Sequence, residues 1–262
     1  GLDGTNGSMV KAGAGTLTLT GTSALDWTVD NGGIAAEAAR FAGDVKLNGA
    51  GAALSFSDAA DATYAGVLSG SGVFTYEGGA SLILSGDSTG FAGTTRVSGG
   101  TLVVGDPDGN GALGGTAEVS GGGLQVDSQF GGDVTVSGAG TISGAGTMGG
   151  DVAFSSGGVL AGVQGRTLTV AGDLSLAGDS SVNVALGAAS TQALFDVGGD
   201  LTLDGTLNVT DQGGFGAGVY RIVDYAGSLT DNGLAIGGTP AGISAADLHV
   251  QTSVAQQVNL IS

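Results

Sequence analysis

A Gly–Asp turn followed by an alternating strand recurs in the second half of the chain and limits the folds that the sequence can adopt. The four copies read GGDVTV, GGDVAF, AGDLSL and GGDLTL, with aspartates at Asp133, Asp151, Asp173 and Asp200. Consecutive aspartates are separated by 18, 22 and 27 residues. Self-similarity at roughly 20–50 residues is typical of solenoids and propellers, and unequal spacing favours a solenoid with loops of variable length.

Short alternating runs bounded by glycine occur along the whole chain. Each run is rich in β-branched residues, which favours half-buried strands. The clearest runs are residues 16–20, 81–84, 101–104, 167–170 and 206–209. Only residues 35–40, AAEAAR, look helical, and so short a segment makes at most a turn or two.

These strands predict an all-β fold, a right-handed parallel β-helix (solenoid). In such a fold each coil pairs with the coils above and below it, so only the two ends expose strand edges. A WD40 propeller needs a Trp–Asp signature and a leucine-rich repeat needs a regular Leu and Asn pattern. Neither is present, and Trp27 is the only tryptophan.

The composition argues against several other classes of protein. Glycine supplies 56 residues and proline only 2, without the strict period of collagen. Hydrophobic residues make up 41% of the chain and charged residues 11%, whereas disordered chains are poor in the first and rich in the second. The net charge of −18 argues against binding to nucleic acid or anionic lipid through a basic patch.

The chain has no cysteine, which excludes a disulfide scaffold and thiol catalysis. No run approaches the ~18 apolar residues of a membrane span, so we expect no direct membrane insertion. Residues 1–5, GLDGT, lack the charged and apolar regions of a signal peptide. If the protein is secreted, we expect this chain to be part of a longer precursor.

Residues 70–115 carry a family likeness. They combine a Gly-bounded strand, SLILSG, with the paired strands GFAGTTRVSGGTLVVG and a closing ALGG. This order resembles the passenger-associated transport repeat of bacterial autotransporters, and residues 13–21, GAGTLTLTG, resemble the start of another copy. The resemblance implies a passenger of a Gram-negative bacterium that is exposed at the cell surface or secreted through the outer membrane.

Residues 165–262 resemble the autochaperone segment at the end of many autotransporter passengers. The likeness rests on ALFDVGGDLTLDGTLNVTD, GFGAGVYRIVDYAGSLTDNGL, the turn TPAG and the closing strand VNLIS. It implies β-helix coils with passenger repeats over residues 1–164 and a capping, autochaperone-like region over residues 165–262. It also implies a precursor whose own translocation barrel is a partner of this region.

Residues 219–223, VYRIV, form the densest strand of the sequence and lie near several aromatic residues. We expect them to concentrate aromatic burial that the upstream coils lack, so that residues 165–262 are the most stable unit and fold first. The candidate residues of this folding nucleus are Phe215, Tyr220, Ile222, Val223 and Tyr225. The alternative is that the region only caps the solenoid.

Two patterns could indicate hydrolytic chemistry. Residues 86–90, GDSTG, match the G-x-S-x-G nucleophile elbow, but an elbow joins a strand to a helix and needs a histidine. No helix is predicted there and His249, the only histidine, lies far along the chain, so we interpret Ser88 as part of a turn. Asp58 and Asp61 form a close carboxylate pair, but no basic or aromatic cluster accompanies them to bind a sugar.

Residues 106–111, DPDGNG, reproduce the first six positions of an EF-hand calcium loop. The glutamate that the loop needs at its twelfth position is replaced by Ala117. A tight turn between coils explains the same residues. We therefore predict no catalytic residue, no cofactor and no metal site.

These observations predict a surface stalk without its own catalytic site, in an adhesin or aggregation factor. Its partners would be host cell-surface or matrix proteins, or copies of the protein on neighbouring cells. The alternatives are the stalk of an enzyme passenger, with a protease or esterase domain before residue 1, and a purely structural spacer. The longest interruptions between strands, residues 30–43, 105–116 and 185–195, are the candidate recognition loops.

Overall fold

The computed structural model describes residues 7–262 as two compact units, one ending at Asp133 and one running from Val134 to Ser262. Residues 1–6, which include the segment examined for a signal peptide, lie outside the described residues. Both units are built of short strands that pair mainly in parallel with the strand one coil away. This confirms the predicted all-β parallel solenoid.

The described strands of the first unit are two to five residues long. They are β1 (Ser8–Lys11), β2 (Thr16–Leu19), β3 (Asp26–Val29), β4 (Gly32–Ala36), β5 (Val45–Leu47), β6 (Ala52–Phe56), β7 (Ala62–Tyr64), β8 (Leu68–Gly70), β9 (Val73–Tyr76), β10 (Ser81–Leu84), β11 (Asp87–Ser88), β12 (Thr94–Val97), β13 (Thr101–Val104), β14 (Ala112–Leu113), β15 (Thr116–Val119), β16 (Gly123–Val126) and β17 (Gln129–Phe130). One 3₁₀ turn, Ala38–Arg40, lies where the sequence suggested a short helix.

Parallel ladders stack these strands coil upon coil. One ladder runs β2, β4, β6, β9, β12 and β15, and a second runs β7, β10, β13 and β16. Because side chains alternate across a strand, the same inward position recurs in each coil. One inward column consists of Leu17, Ile34, Leu54, Phe74, Thr95 and Ala117. All of these except Leu17 are buried, so the core is a column of stacked side chains.

The second unit contains longer strands and a different end. Its strands are β18 (Val134–Gly144), β19 (Thr147–Met148), β20 (Val152–Val163), β21 (Leu168–Val170), β22 (Leu174–Ser175), β23 (Ser181–Leu186), β24 (Phe195–Val197), β25 (Leu201–Leu203), β26 (Thr206–Asp211), β27 (Val219–Tyr225), β28 (Leu229–Asp231), β29 (Ala235–Ile236), β30 (His249–Gln251) and β31 (Gln257–Ile261). A second 3₁₀ turn, Ala245–Asp247, is closed by a capping box with Ser244.

Three parallel ladders make up the second unit. The first runs β20, β22, β25 and β28, the second β18, β20, β23, β26 and β29, and the third β19, β21, β24 and β27. In the described part of the chain, neither 3₁₀ turn nor any other helical segment is long and apolar enough to cross a membrane. The proposed boundary at residue 164 concerns folding behaviour and stays a prediction.

Candidate functional site

The end of the second unit is closed by a change of strand direction. Strand β27 pairs in parallel with β24 on one side, with Val223 opposite Phe195. On its other side it pairs antiparallel with β31, and β31 in turn pairs antiparallel with β30. A parallel solenoid that ended at β27 would leave a row of backbone groups open for pairing with another chain. The β30–β31 hairpin covers that row, and we call β27, β30 and β31 the C-terminal cap.

Tyr220 anchors the loop that leads into the cap. Its ring stacks on Phe215 with centroids 4.8 Å apart, and its hydroxyl group makes two 2.9 Å hydrogen bonds to Gly216. In these bonds the hydroxyl accepts from the Gly216 N–H and donates to the Gly216 carbonyl oxygen. Tyr220 is buried and Phe215 is half-buried. The loop is therefore fixed to the strand by both ring packing and backbone hydrogen bonds.

The structure brings the remaining candidate nucleus residues onto the same strand. Ile222, Val223 and Tyr225 are all buried. Two of them face a partner in the preceding coil, Val223 opposite Phe195 and Tyr225 opposite Val197. Strand β27 thus joins the last parallel coil to the antiparallel cap. Whether it nucleates folding stays a prediction.

A polar row crosses the three strands of the cap. The Arg221 guanidinium group donates a 2.7 Å hydrogen bond to the Asn259 side-chain oxygen, and the Asn259 amide donates to Gln251 Oε1 at 3.2 Å. Arg221 also forms a 2.5 Å ion pair with Asp224. Asn259 is buried, so these partners satisfy an amide that would otherwise be costly to bury. The turn TPAG and the closing strand VNLIS were visible in the sequence, but nothing in it showed that this strand returns antiparallel along β27, so sequence reasoning missed Asn259.

The expectation that aromatic burial is concentrated in residues 165–262 is wrong. In the first unit the Phe56 ring lies 5.7 Å from Phe41, 5.2 Å from Tyr64 and 5.8 Å from Phe74, measured between centroids. Each of these rings is buried. They are far apart in sequence and meet only because consecutive coils stack their inward positions. The upstream coils therefore hold an aromatic cluster that the spacing along the chain does not reveal.

The serine of the GDSTG segment has a structural role. Ser88 is only 1% exposed, and its Oγ accepts a 2.9 Å hydrogen bond from the Leu68 N–H one coil away. A nucleophile needs access to substrate and an adjacent base, and this hydroxyl group is committed to the backbone. Asp87 accepts hydrogen bonds from both the hydroxyl and the N–H of Thr89, and these bonds lower the pKa of its carboxyl group. The segment is a hydrogen-bonded turn, as the sequence analysis interpreted it.

The calcium-loop-like segment is closed on itself. Asp106 accepts hydrogen bonds from the N–H groups of Asp108 and Asn110 and from the Asn110 side chain, at 2.9–3.2 Å. The Asn110 side chain is the main cause of the lowered pKa of the Asp106 carboxyl group. These donors occupy the carboxylate that a cation would need. No group of three or more His, Cys, Asp or Glu residues positioned to hold a metal occurs within residues 7–262.

The Asp58 and Asp61 carboxylates serve two different turns. Asp58 is 2% exposed and accepts hydrogen bonds from the N–H groups of Ala38 and Ala39, at 3.0 and 3.1 Å. It thereby fixes the start of the first 3₁₀ turn. Asp61 accepts a 2.9 Å hydrogen bond from the Ser81 N–H of the next coil. The pair therefore stabilises the backbone.

The three candidate recognition loops differ in how much loop they contain. Residues 30–43 hold strand β4 and a 3₁₀ turn, so this segment is mostly regular structure and the expectation of a loop there is wrong. Residues 105–116 contain the Asp106 turn and the short strand β14. Residues 187–194, between β23 and β24, form an irregular connection. The last two stay candidates for recognition.

Comparison with known proteins agrees with the repeat pattern. The passenger-associated-transport-repeat family matches residues 9–34 and 74–104, which overlap both segments that resembled this repeat. Over 103 residues, 37% of this chain, the sequence is 47% identical to the adhesin BmaC autotransporter of Brucella suis biovar 1 (strain 1330). The chain aligns with 3% of the length of that protein. No solved structure matches the chain significantly.

The repeats and the fold support each other. The family matches fall on strands β1 to β4 and β9 to β13, which lie in the stacked parallel coils of the first unit. A passenger that is exported through the outer membrane is exposed at the cell surface or secreted. The repeats and the similarity to an autotransporter adhesin support a passenger region of an autotransporter, folded as a parallel β-solenoid that carries passenger-associated transport repeats.

Proposed function

We propose that this region is the stalk of an adhesin passenger and carries no catalytic step itself. The observation that carries the proposal is the 47% identity to a protein named as an autotransporter adhesin. The side chains that could have supported hydrolysis or metal binding are engaged with backbone N–H groups, Ser88 and Asp58 with those of the preceding coil and Asp106 with those of its own turn, which supports a structural role for each of them. The partners proposed for it are host cell-surface or matrix proteins, or copies of the same passenger on neighbouring cells.

A cell-binding measurement tests the adhesive role. Cells displaying the full precursor are compared with cells in which residues 187–192, which stop short of the buried Leu194, or residues 106–110 are replaced by a short Gly/Ser turn. We expect at least one replacement to lower attachment to host cells or aggregation between cells, with equal surface amounts confirmed by antibody. Replacement of residues 232–233, an exposed turn between β28 and β29, by Gly/Ser is the matched control. Unchanged attachment in every variant would favour a structural spacer.

We further propose that the C-terminal cap nucleates folding outside the cell. Its support is that β27 contacts both the last parallel coil and the closing hairpin, so its formation creates a finished end on which the preceding coil can pair. Stacked coils gain stability mainly from their neighbours, so a stable end favours growth from that end. The precursor's own translocator would deliver this end first. Refolding rates and surface display of Tyr220→Ala, compared with Phe56→Ala, test this role.

A further inference from the structure

The corner that precedes one strand in each coil of the second unit is built the same way three times. The Asp151 carboxylate accepts a 2.8 Å hydrogen bond from the Asp173 N–H, 22 residues on. The Asp173 carboxylate accepts at 2.7 Å from Asp200, 27 residues on, and Asp200 accepts at 2.7 Å from Ser228, 28 residues on. Coil length varies, but the corner contact is kept. Loop length therefore does not fix the alignment of these coils.

A glycine next to each donor makes room for the carboxylate. A Cβ atom placed on Gly199 would lie 2.1 Å from Asp173 Oδ1, and one on Gly227 would lie 2.3 Å from Asp200 Oδ1. On Gly172 the distance to Asp151 Oδ1 would be 2.2 Å. The aspartate of one coil, together with the backbone beside it at 2.7–2.9 Å, thus occupies the space that a side chain of the next coil would fill. This explains why glycine precedes aspartate in the repeated motif.

Each corner is also held through the backbone. The Asp173 N–H binds the Asp151 side chain, while the Asp173 carbonyl oxygen accepts a 2.8 Å hydrogen bond from the Val152 N–H. The Leu174 N–H donates in the same way to the Asp200 carbonyl oxygen, at 3.0 Å. The residue that starts each coil is therefore attached to the preceding coil at two points. Both hydrogen bonds form together in only one register of the two coils.

The first unit repeats the side-chain hydrogen bond of this corner but not the recess, since a Cβ atom on Gly43 would meet the Leu25 carbonyl oxygen and one on Gly66 the Gly43 carbonyl oxygen. Asp26 accepts a 2.9 Å hydrogen bond from the Asp44 N–H, and Asp44 accepts a 2.8 Å bond from the Val67 N–H. The strands that follow keep the same register, with Trp27 opposite Val45 and Val45 opposite Leu68. In both units the carboxylate always reaches towards the coil that comes later in sequence.

The apolar core alone leaves the register weakly defined. Leu201 and Leu203 both face inward on β25, and Leu174 and Leu176 both face inward one coil earlier. A shift of two residues keeps the inward face inward and pairs one aliphatic side chain with another. The same shift would move the Asp173 carboxylate away from Gly199 and towards a residue that carries a Cβ atom. The corner is thus a feature of the coil that distinguishes the native register from a shifted one.

We infer that each Gly–Asp corner of the second unit is the site by which one coil recognises the next, with the glycine recess and its adjacent N–H receiving the carboxylate of the preceding coil and setting the register. This role goes beyond the proposed adhesive function and does not depend on which end of the chain folds first. It requires an acceptor oxygen of the right size and not a negative charge. Asparagine should therefore replace aspartate, whereas alanine should not.

Disulfide bonds between engineered cysteines report the register directly, because the chain has no natural cysteine. Ser175 is opposite Thr202 in the native register. Parallel neighbours at this spacing are close enough for a disulfide bond, so Ser175→Cys with Thr202→Cys reports the native alignment. Ser175→Cys with Asp204→Cys reports a shift of two residues. Both pairs are introduced into the full chain, which is refolded and oxidised.

We expect Asp173→Ala to raise the yield of the shifted disulfide about tenfold or more relative to the Asp173 parent, the factor that corresponds to a lost hydrogen bond to a charged group. Asp173→Asn should stay close to the parent. An unchanged shifted yield in Asp173→Ala, or an Asn variant as shifted as the Ala variant, would overturn the inference. If Asp173→Ala fails to refold, hydrogen exchange of the Asp200 amide in Asp173→Asn is measured instead. Faster exchange of this amide than in the Asp173 parent would also overturn the inference.

A pair of adjacent glycines supplies a matched control for the recess. Gly199→Ala meets the Asp173 carboxylate, whereas a Cβ atom on Gly198 meets the Ala171 carbonyl oxygen at 2.5 Å and no aspartate. Because the Asp173 clash disappears when that side chain is removed, Asp173→Ala should partly restore the folded yield of Gly199→Ala. It should not restore Gly198→Ala. Equal rescue of both glycine variants would mean that the carboxylate does not occupy a specific recess. Rescue of neither would mean that the Gly172 backbone, 2.8 Å from the Cβ position of Gly199, requires the glycine and the carboxylate does not.

Discussion

The Arg221 guanidinium group donates a 2.7 Å hydrogen bond to the side-chain oxygen of Asn259, on the strand that returns antiparallel along β27. Asn259 is 2% exposed, and its side-chain amide donates a hydrogen bond to Gln251 Oε1 on the edge strand β30. The three side chains therefore tie all three strands of the C-terminal cap together. This row adds to the backbone pairing of β31 with both neighbours and to the burial of Val258 and Leu260.

Substitution of Asn259 should loosen the cap selectively. Asn259→Ala removes the acceptor for Arg221 and the donor to Gln251, and a broken buried hydrogen bond costs about 1–3 kcal/mol. We expect amide hydrogens of residues 257–261 to exchange faster, with little change in the first unit. Asn259→Asp keeps the acceptor for Arg221 and should lose less protection than the alanine variant. Equal protection in all three proteins would show that the row contributes nothing.

Thr95 should be replaceable by valine with a gain in stability. Its side chain is fully buried in the inward column, and Thr95 Oγ1 has no hydrogen-bond partner. Valine has nearly the same shape without the unpaired hydroxyl group, which costs about 1–3 kcal/mol when buried and unsatisfied. We expect Thr95→Val to raise the urea midpoint of the first unit, followed by the fluorescence of Trp27, the only tryptophan. Thr95→Ser keeps the hydroxyl group, loses a methyl group and should lower the same midpoint.

The sequence predicted where the strands lie along the chain better than it predicted which residues contact each other between strands. Gly-bounded alternation and the Gly–Asp repeat located strands such as β10, β13 and β21, because these signals act within a few residues. Asp173 contacts Asp200, and Phe41 packs on Phe56, in a neighbouring coil. Because coil length varies, the sequence alone does not show which residues of two coils lie next to each other. The turn TPAG indicates a change of direction before the final strand, but no local signal places Asn259 beside Arg221. Only the three-dimensional stacking reveals these pairs.

Alkaline pH should destabilise the first unit through Tyr64. Burial raises the pKa of the Tyr64 hydroxyl group well above its ordinary value, and Asp44 and Asp26 raise it further. Its hydroxyl group donates a 2.7 Å hydrogen bond to the Gly43 carbonyl oxygen. Because the folded-state pKa lies above the unfolded one, the folded state holds the proton more tightly. The stability from this group is complete below the unfolded pKa of about 10 and is lost as the pH rises above it.

Urea unfolding monitored by Trp27 between pH 8 and pH 11 measures this effect. We expect the midpoint of the parent to fall as the pH rises above about 10. Tyr64→Phe should start from a lower midpoint, since it loses the hydrogen bond, and should depend less on pH. A Tyr64→Phe protein with the same alkaline loss as the parent would assign that loss to other groups. Tyr76, whose pKa burial also raises, is the next group to replace in that case.

The folding role of the C-terminal cap is best tested by separating rate from stability. Phe56 and Tyr220 are equally buried aromatic residues, one in the cluster of the first unit and the other in the cap. Replacement of either by alanine should cost about 3–5 kcal/mol locally. If the cap nucleates folding, Tyr220→Ala should slow refolding and reduce surface display more than Phe56→Ala, because a residue of the nucleus acts on the folding rate and other residues act mainly on unfolding. Ile222→Asp, which buries an unpaired charge in β27, should act in the same direction as Tyr220→Ala.

Refolding rates after dilution from urea and antibody labelling of displayed precursor provide the two measurements. Should Phe56→Ala be the slower to refold and the less displayed, folding begins in the first unit and the C-terminal segment serves as a cap only.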